Sequence, residues 1–182
     1  MFRPLYQLIF KLWGWKIIDH RPADLGPCIY VVAPHTSNWD FLVGLCVRSI
    51  ARLGNVRYLA KKQLFKPPFG WIFRALGGYP VDRSRNTNLT EQVVHYFRTV
   101  PDFALAITPE GTRKRVDKWK TGFWRIAHDA QVPLILSSFD FSRKQVILRE
   151  PYHVSEDMER DIAWMMEYFS QFKGRNADQG VH

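Results

Sequence analysis

The strongest constraint on the fold is a series of short apolar runs separated by segments of helical periodicity. Cys28 to Ala33, Val56 to Ala60, Phe103 to Ile107 and Pro133 to Phe139 are each five to seven residues long. Their continuous apolar character is that of strands covered on both faces. Between them, Trp39 to Leu53 places Leu42, Leu45, Cys46, Ser49, Ile50 and Leu53 on one helical face. Asn88 and Glu91 have capping-box spacing and predict a helix to about Phe97, and Thr121 to Gln131 predicts another. Tyr79 to Val81 and Lys144 to Leu148 are expected as further strands, and Leu64 to Leu76 as irregular chain or short helices. Ser155 is expected to cap a last helix with Glu156 and Asp157 in its first turn and the stripe Met158, Ile162, Met165, Phe169 and Phe172 on its apolar face. This alternation predicts an α/β domain with a mainly parallel sheet flanked by helices.

The N-terminal segment reads differently. Met1 to Ile18 mixes five aromatic residues with Arg3, Lys11 and Lys16 and contains no acid. Leu5, Leu8, Ile9, Leu12 and Trp13 recur at helical spacing, which suits an amphipathic helix at a membrane interface and also a terminal helix docked on the core. The expected division is an N-terminal helix over 1–20, a domain over 21–173 and a loose tail over 174–182. The longest stretch without Asp, Glu, Lys or Arg, Leu25 to Trp39, contains Pro27 and Pro34, so no membrane-spanning helix is expected. Lys11 interrupts the first apolar run and no small-residue cleavage site follows, which argues against a signal peptide. Cys28 and Cys46 are too few for a disulfide framework, are not at zinc-ligand spacing, and are expected to be buried. The net charge of +9 is uneven, with 23 basic and 11 acidic residues in 1–150. A basic body favours anionic partners: nucleic acid, anionic lipid, or a phosphorylated or acidic carrier.

Chemistry-bearing residues gather where strands are expected to end, which is where open α/β sheets bind ligands. His35 to Asp40 directly follow the first apolar run. A carboxylate five residues from a histidine can fix the imidazole tautomer and stabilise its protonated form. On spacing alone, an aspartate at a helix start beside an unrelated histidine accounts for the pair at least as well. Pro109-Glu110-Gly111-Thr112-Arg113 follows the run ending at Ile107, and Arg113 with Lys114 could clamp a phosphate or form a solvated basic turn. Gly77 to Arg83 is a turn, a short strand and a basic residue.

Together these segments resemble the glycerolipid acyltransferase family, which includes 1-acylglycerol-3-phosphate acyltransferases. His35 and Asp40 correspond to its HxxxxD motif, Gly78 to Arg83 to its second motif, Pro109 to Arg113 to its Pro-Glu-Gly-Thr-Arg motif, and Val132 to Ile135 to its fourth. Order and approximate spacing agree over about residues 28 to 140, although Thr108, Tyr79-Pro80 and Leu136-Ser137 depart from the common pattern. The resemblance implies an acyltransferase domain over 21–173 that moves a fatty acyl group from acyl-CoA or acyl carrier protein to a lysophospholipid hydroxyl, most closely that of 1-acylglycerol 3-phosphate. It implies His35 as general base and Asp40 as its orienting partner; backbone N–H groups near Gly111 and Thr112 are candidates to face the oxyanion. Glu110 would support the acceptor or the geometry of the site. Arg83 and Arg113, then Lys61 and Lys114, would meet the acceptor phosphate. No cofactor or metal is expected, and no acyl-enzyme. The expected partners are the lysophospholipid, the thioester donor and an anionic membrane surface, on a cytoplasmic membrane face where thioesters are supplied. Another acceptor, such as glycerol 3-phosphate, another lysolipid or an amino-acid lipid, is the alternative within the family. A basic nucleic-acid-binding protein is the alternative outside it, but no nucleic-acid-binding signature accompanies the charge.

Overall fold

Period-two burial on the central strands divides the interior into two cores. In the computed structural model, which describes residues 3–81 and 89–181 (the Lys61 side chain excepted), β1 is Lys16–Asp19, β2 Cys28–Ala33, β3 Val56–Lys61 and β4 Gly78–Val81. β5 is Ala104–Ile107, β6 Leu134–Asp140 and β7 Gln145–Leu148. They form one sheet in the order β1-β7-β6-β2-β5-β3-β4. Every pairing is parallel except β6 with β7, a hairpin. The expected mainly parallel sheet is present, with one antiparallel step.

The helices are α1 Arg3–Leu12, α2 Trp39–Ile50, α3 Gly70–Ala75, α4 Leu89–Thr99, α5 Gly122–Ala130 and α6 Met158–Ser170, with a 3-10 turn at Lys62–Phe65. On one face of the sheet, Ile29, Val31, Leu105, Leu134 and Leu136 meet α4, α5 and α6 through Phe97, Phe123 and Phe169. On the other, Cys28, Tyr30, Ile135 and Phe139 meet α1 and α2 through Phe10, Val43 and Cys46. Both cysteines are buried, as expected. α5 ends on Gln131 in a left-handed conformation, with the Val132 N–H returning to the Ala127 carbonyl just before Pro133 starts the approach to β6.

Three expectations are corrected. Residues 1–20 are not one helix: α1 stops at Leu12, Gly14 turns at φ +75°, and β1 joins the sheet beside β7. The Lys16 N–H binds the Lys144 carbonyl and Lys144 Nζ binds the Trp13 carbonyl, so the sheet edge captures these residues. The N-cap of α6 is Asp157, whose carboxylate accepts the Arg160 N–H, whereas Ser155 is drawn to Asp161. Residues 174–181 are not loose: Gly174 and Val181 are buried and Asn176 is hydrogen-bonded to Thr36. Asn88 of the expected capping box lies outside the described residues, although the helix that it introduces begins at Leu89.

Asp161 ties α6 to the sheet periphery. It is 2% exposed and accepts from Trp124 Nε1 at 2.8 Å, Tyr152 OH at 2.6 Å, Ser155 N at 2.7 Å and Ser155 Oγ at 2.9 Å. Burial pushes its carboxyl pKa up, but these donors outweigh burial and hold it below the ordinary aspartate value. Asp161→Ala takes the acceptor from Trp124 Nε1, Tyr152 OH and Ser155 N, while Ser155 Oγ keeps the Asp157 carbonyl, and we expect it to lower the unfolding free energy by about 3 kcal/mol, read as a shift of the urea midpoint.

Candidate active site

β2 and β5 run side by side in parallel, so the loops that follow them emerge at the same end of the sheet. The first carries His35 to Asp40 and the second Pro109 to Lys120. Two buried carboxylates close this junction. Glu110, 5% exposed, accepts the backbone N–H of His35 on both oxygens at 3.0 Å. Asp40, 3% exposed, accepts the N–H groups of Thr36 and Ser37 on Oδ2 at 2.8 and 2.9 Å. That same oxygen stands 3.0 Å from His35 Nδ1. With two N–H groups already on Oδ2, the ring meets it as a close electrostatic contact rather than an aligned hydrogen bond, and Oδ1 has no partner in the fold. The His35 and Asp40 pairing expected from sequence is therefore assembled, and Asp40 holds the loop as well as facing the ring.

Glu110 lies in an unusual electrostatic position. Burial pushes its pKa to about 7, opposed by the His35 N–H and charge and reinforced by the nearby Asp40 carboxylate. Both of its oxygens face the His35 main chain.

The next turn is set by Gly111 at φ +66°, a conformation that L side chains rarely adopt. An added Cβ would lie 2.8 Å from the end of the Lys120 side chain. The Lys120 N–H binds the Pro109 carbonyl, folding the basic loop back onto the turn. The Gly111 N–H is engaged by the Thr108 carbonyl at 3.1 Å.

A cavity of about 610 Å³ opens beside His35 and Asp40 and is lined by both Gly111 and Lys120. Its walls are largely apolar, from Val32 and Leu45 to Val47, Leu53 and Val56. Val56 stands level with Ala104, which pairs with Cys28 at the start of β2, whereas His35 follows the end of β2. The cavity therefore follows the length of the strand, about 16 Å at 3.3 Å per residue. Arg48 lines the end of the cavity beside Val56 and donates to the carbonyls of Gly54 and Val56. Burial and then the neighbouring Arg57 lower its pKa from the ordinary value.

The other expected binding residues are more dispersed. Thr112, Arg113 and Lys114 are exposed on the loop beyond Gly111 and do not line this cavity, and Thr112 Oγ1 accepts the Lys114 N–H. Lys61 ends β3, its side chain outside the described residues, and Arg83 lies outside them altogether. Sequence reasoning missed Lys120. Its signal was Trp119, an aromatic residue closing a basic run, which is buried in the core and returns the loop to Gly111. Among the described residues, no group of three or more His, Cys, Asp or Glu side chains could hold a metal ion.

The family model described as acyltransferase matches residues 17–137. No curated protein matches the chain. The fold is similar to that of the 1-acyl-sn-glycerophosphate (LPA) acyltransferase PlsC from Thermotoga maritima, with a TM-score of 0.61 and 20% identity over 93% of this chain and 75% of that one.

The raised Glu110 pKa has a definite consequence for stability. The folded protein holds this proton more tightly than the unfolded chain, so the group's contribution is full below pH 4.5 and is lost as pH rises to about 7. Between those limits we expect wild type to lose up to about 3 kcal/mol relative to Glu110→Gln, measured by denaturant unfolding of both proteins across that range.

Proposed function

The chain belongs to the acyltransferase family, and from that premise we propose that it transfers a fatty acyl group from acyl-CoA or acyl carrier protein to the hydroxyl of a lysophospholipid. The observation that carries this reading is His35 against Asp40, 3.0 Å apart beside a long apolar cavity. The cavity suits an acyl chain, and the polar cluster at the end of β2 suits the thioester and the attacking alcohol.

In this mechanism His35 Nε2, the ring nitrogen turned from Asp40, accepts the hydroxyl proton as the oxygen attacks the thioester carbonyl. The Asp40 carboxylate stabilises the imidazolium that forms. The tetrahedral oxyanion collapses with cleavage of the C–S bond, and His35 returns the proton to the leaving thiolate. The ester product and free thiol balance the reaction without a covalent acyl-enzyme. Glu110 holds the His35 main chain through both halves. The Thr112 N–H serves the oxyanion.

Lys120 beside the cavity, with Arg113 and Lys114 on the adjoining loop and Arg83 and Lys61 as further cations, favours an acceptor bearing phosphate. The Thermotoga protein of similar fold is a 1-acyl-sn-glycerophosphate acyltransferase, so 1-acylglycerol 3-phosphate is the first acceptor to test.

The same reading places the protein on a membrane surface, at the cytoplasmic face where acyl thioesters are supplied. Among the described residues, no helix is long and apolar enough to cross a membrane. α1 exposes Leu5, Leu8 and Leu12, and Trp13 meets Trp39 edge-on at 6.0 Å, beside the exposed Phe41 and Leu42. Phe69 and Trp71 add an exposed aromatic pair near Lys62 and Lys66. Apolar side chains interleaved with cations suit reversible binding at an anionic lipid interface.

Purified protein supplied with labelled acyl-CoA or acyl carrier protein and a lysolipid panel is expected to form a diacyl product. His35→Ala should reduce the rate by about 10²- to 10⁴-fold. An unchanged rate in that variant rejects the assigned base, and product from none of the donor–acceptor pairs rejects the reaction. Binding to vesicles containing phosphatidylglycerol is expected to weaken as salt rises, measured by flotation; binding indifferent to salt and to anionic lipid rejects the electrostatic part of the docking.

A further inference from the structure

We propose that the C-terminal segment 174–181 is a strap that positions the catalytic loop, with Gly174 and Asn176 acting on His35 through Thr36. The proposal rests on the reading of His35 as the base. Thr36, the next residue, is 1% exposed and tied through all three of its polar groups. Its N–H goes to Asp40 Oδ2 at 2.8 Å. Its carbonyl accepts from Asn176 Nδ2 at 2.9 Å, and its Oγ1 accepts the Asn176 backbone N–H at 3.1 Å. Asp40, four residues on, and the strap, 140 residues on, thus grip the same residue.

Gly174 makes the approach possible. It is buried, and an added Cβ would lie 2.5 Å from Thr36 Oγ1 and 2.6 Å from Thr36 Cγ2. Any side chain at position 174 must displace Thr36 or lift the strap. Lifting is resisted on both sides. Ahead of Gly174, the Lys173 carbonyl accepts the Phe141 N–H at 2.8 Å and Phe172 is buried in the core. Beyond Asn176, Val181 is buried in the same core. The Arg175 guanidinium lies 5.0 Å from the centre of the Trp39 ring, adding a contact to the far end of the loop. With the His35 N–H held by Glu110 and Thr36 held by Asp40 and Asn176, the backbone on both sides of the His35 Cα is fixed. The ring has few remaining ways to move relative to Asp40.

Asn176→Ala deletes one hydrogen bond from an exposed residue and leaves the backbone contact intact. Gly174→Ala drives a methyl group towards Thr36 Oγ1 and Cγ2, and Thr36→Ser in that background removes Cγ2 and frees the remaining hydroxyl, the nearer obstruction, to rotate away. We expect each single variant to lower kcat by about 10- to 100-fold with little change in the KM of the acyl donor. Thr36→Ser should recover part of the Gly174→Ala loss. The imidazole ¹⁵N resonances of His35, assigned against His35→Ala, should shift in Asn176→Ala with its Tm near that of wild type. Unmoved resonances in folded Asn176→Ala overturn the strap, whatever reaction the protein performs. Moved resonances without acyl transfer from any donor support the strap and reject the reaction instead. A Gly174→Ala defect that Thr36→Ser leaves untouched overturns the contact through Thr36.

Discussion

The site depends on two buried carboxylates that gather three successive backbone N–H groups. Glu110 takes that of His35, and Asp40 takes those of Thr36 and Ser37. An N–H left unpaired in a buried loop is costly, and a carboxylate acceptor offsets that cost more strongly than a neutral one. The chain leaving β2 therefore has one satisfactory path. That path carries the His35 ring to Asp40 and beside an apolar cavity.

The arrangement creates its own electrostatic tension. Glu110 and Asp40 are both buried and close enough for the charge of one to raise the pKa of the other group. Glu110 reaches about 7 because burial, reinforced by the Asp40 charge, outweighs the His35 N–H and charge that oppose it. Asp161 is also almost unexposed, but it lies less deep in the fold, and four hydrogen-bond donors hold its pKa low. The contrast separates a carboxylate whose surroundings satisfy its charge from one held in tension against a histidine loop.

Much of the architecture was legible because it is local. The runs at Cys28 to Ala33 and Pro133 to Phe139 are strands within a residue of their expected limits, since both faces of each are covered and continuous apolar character follows. The ordered motifs likewise located the pair His35 and Asp40, only five residues apart in the chain. β1 was not legible: Lys16 to Asp19 is half charged, and its strand geometry comes from pairing with β7 at the sheet edge. Lys120 was hidden by a loop whose return depends on burying Trp119. The tail looked loose because it is polar, but polar groups can be held by specific partners as well as by solvent.

By itself the sequence determined the alternation of strands and helices, the burial of both sheet faces, and the motif residues placed after β2 and β5. These follow from periodicity and from chemistry within a few residues. Tertiary structure alone decided what those residues do to one another. Glu110 reaches the His35 main chain across 75 residues, and Asn176 reaches Thr36 across 140. Such pairings leave no periodic trace, because each requires only one acceptor and one donor brought together by a sheet whose neighbouring strands are distant in the chain.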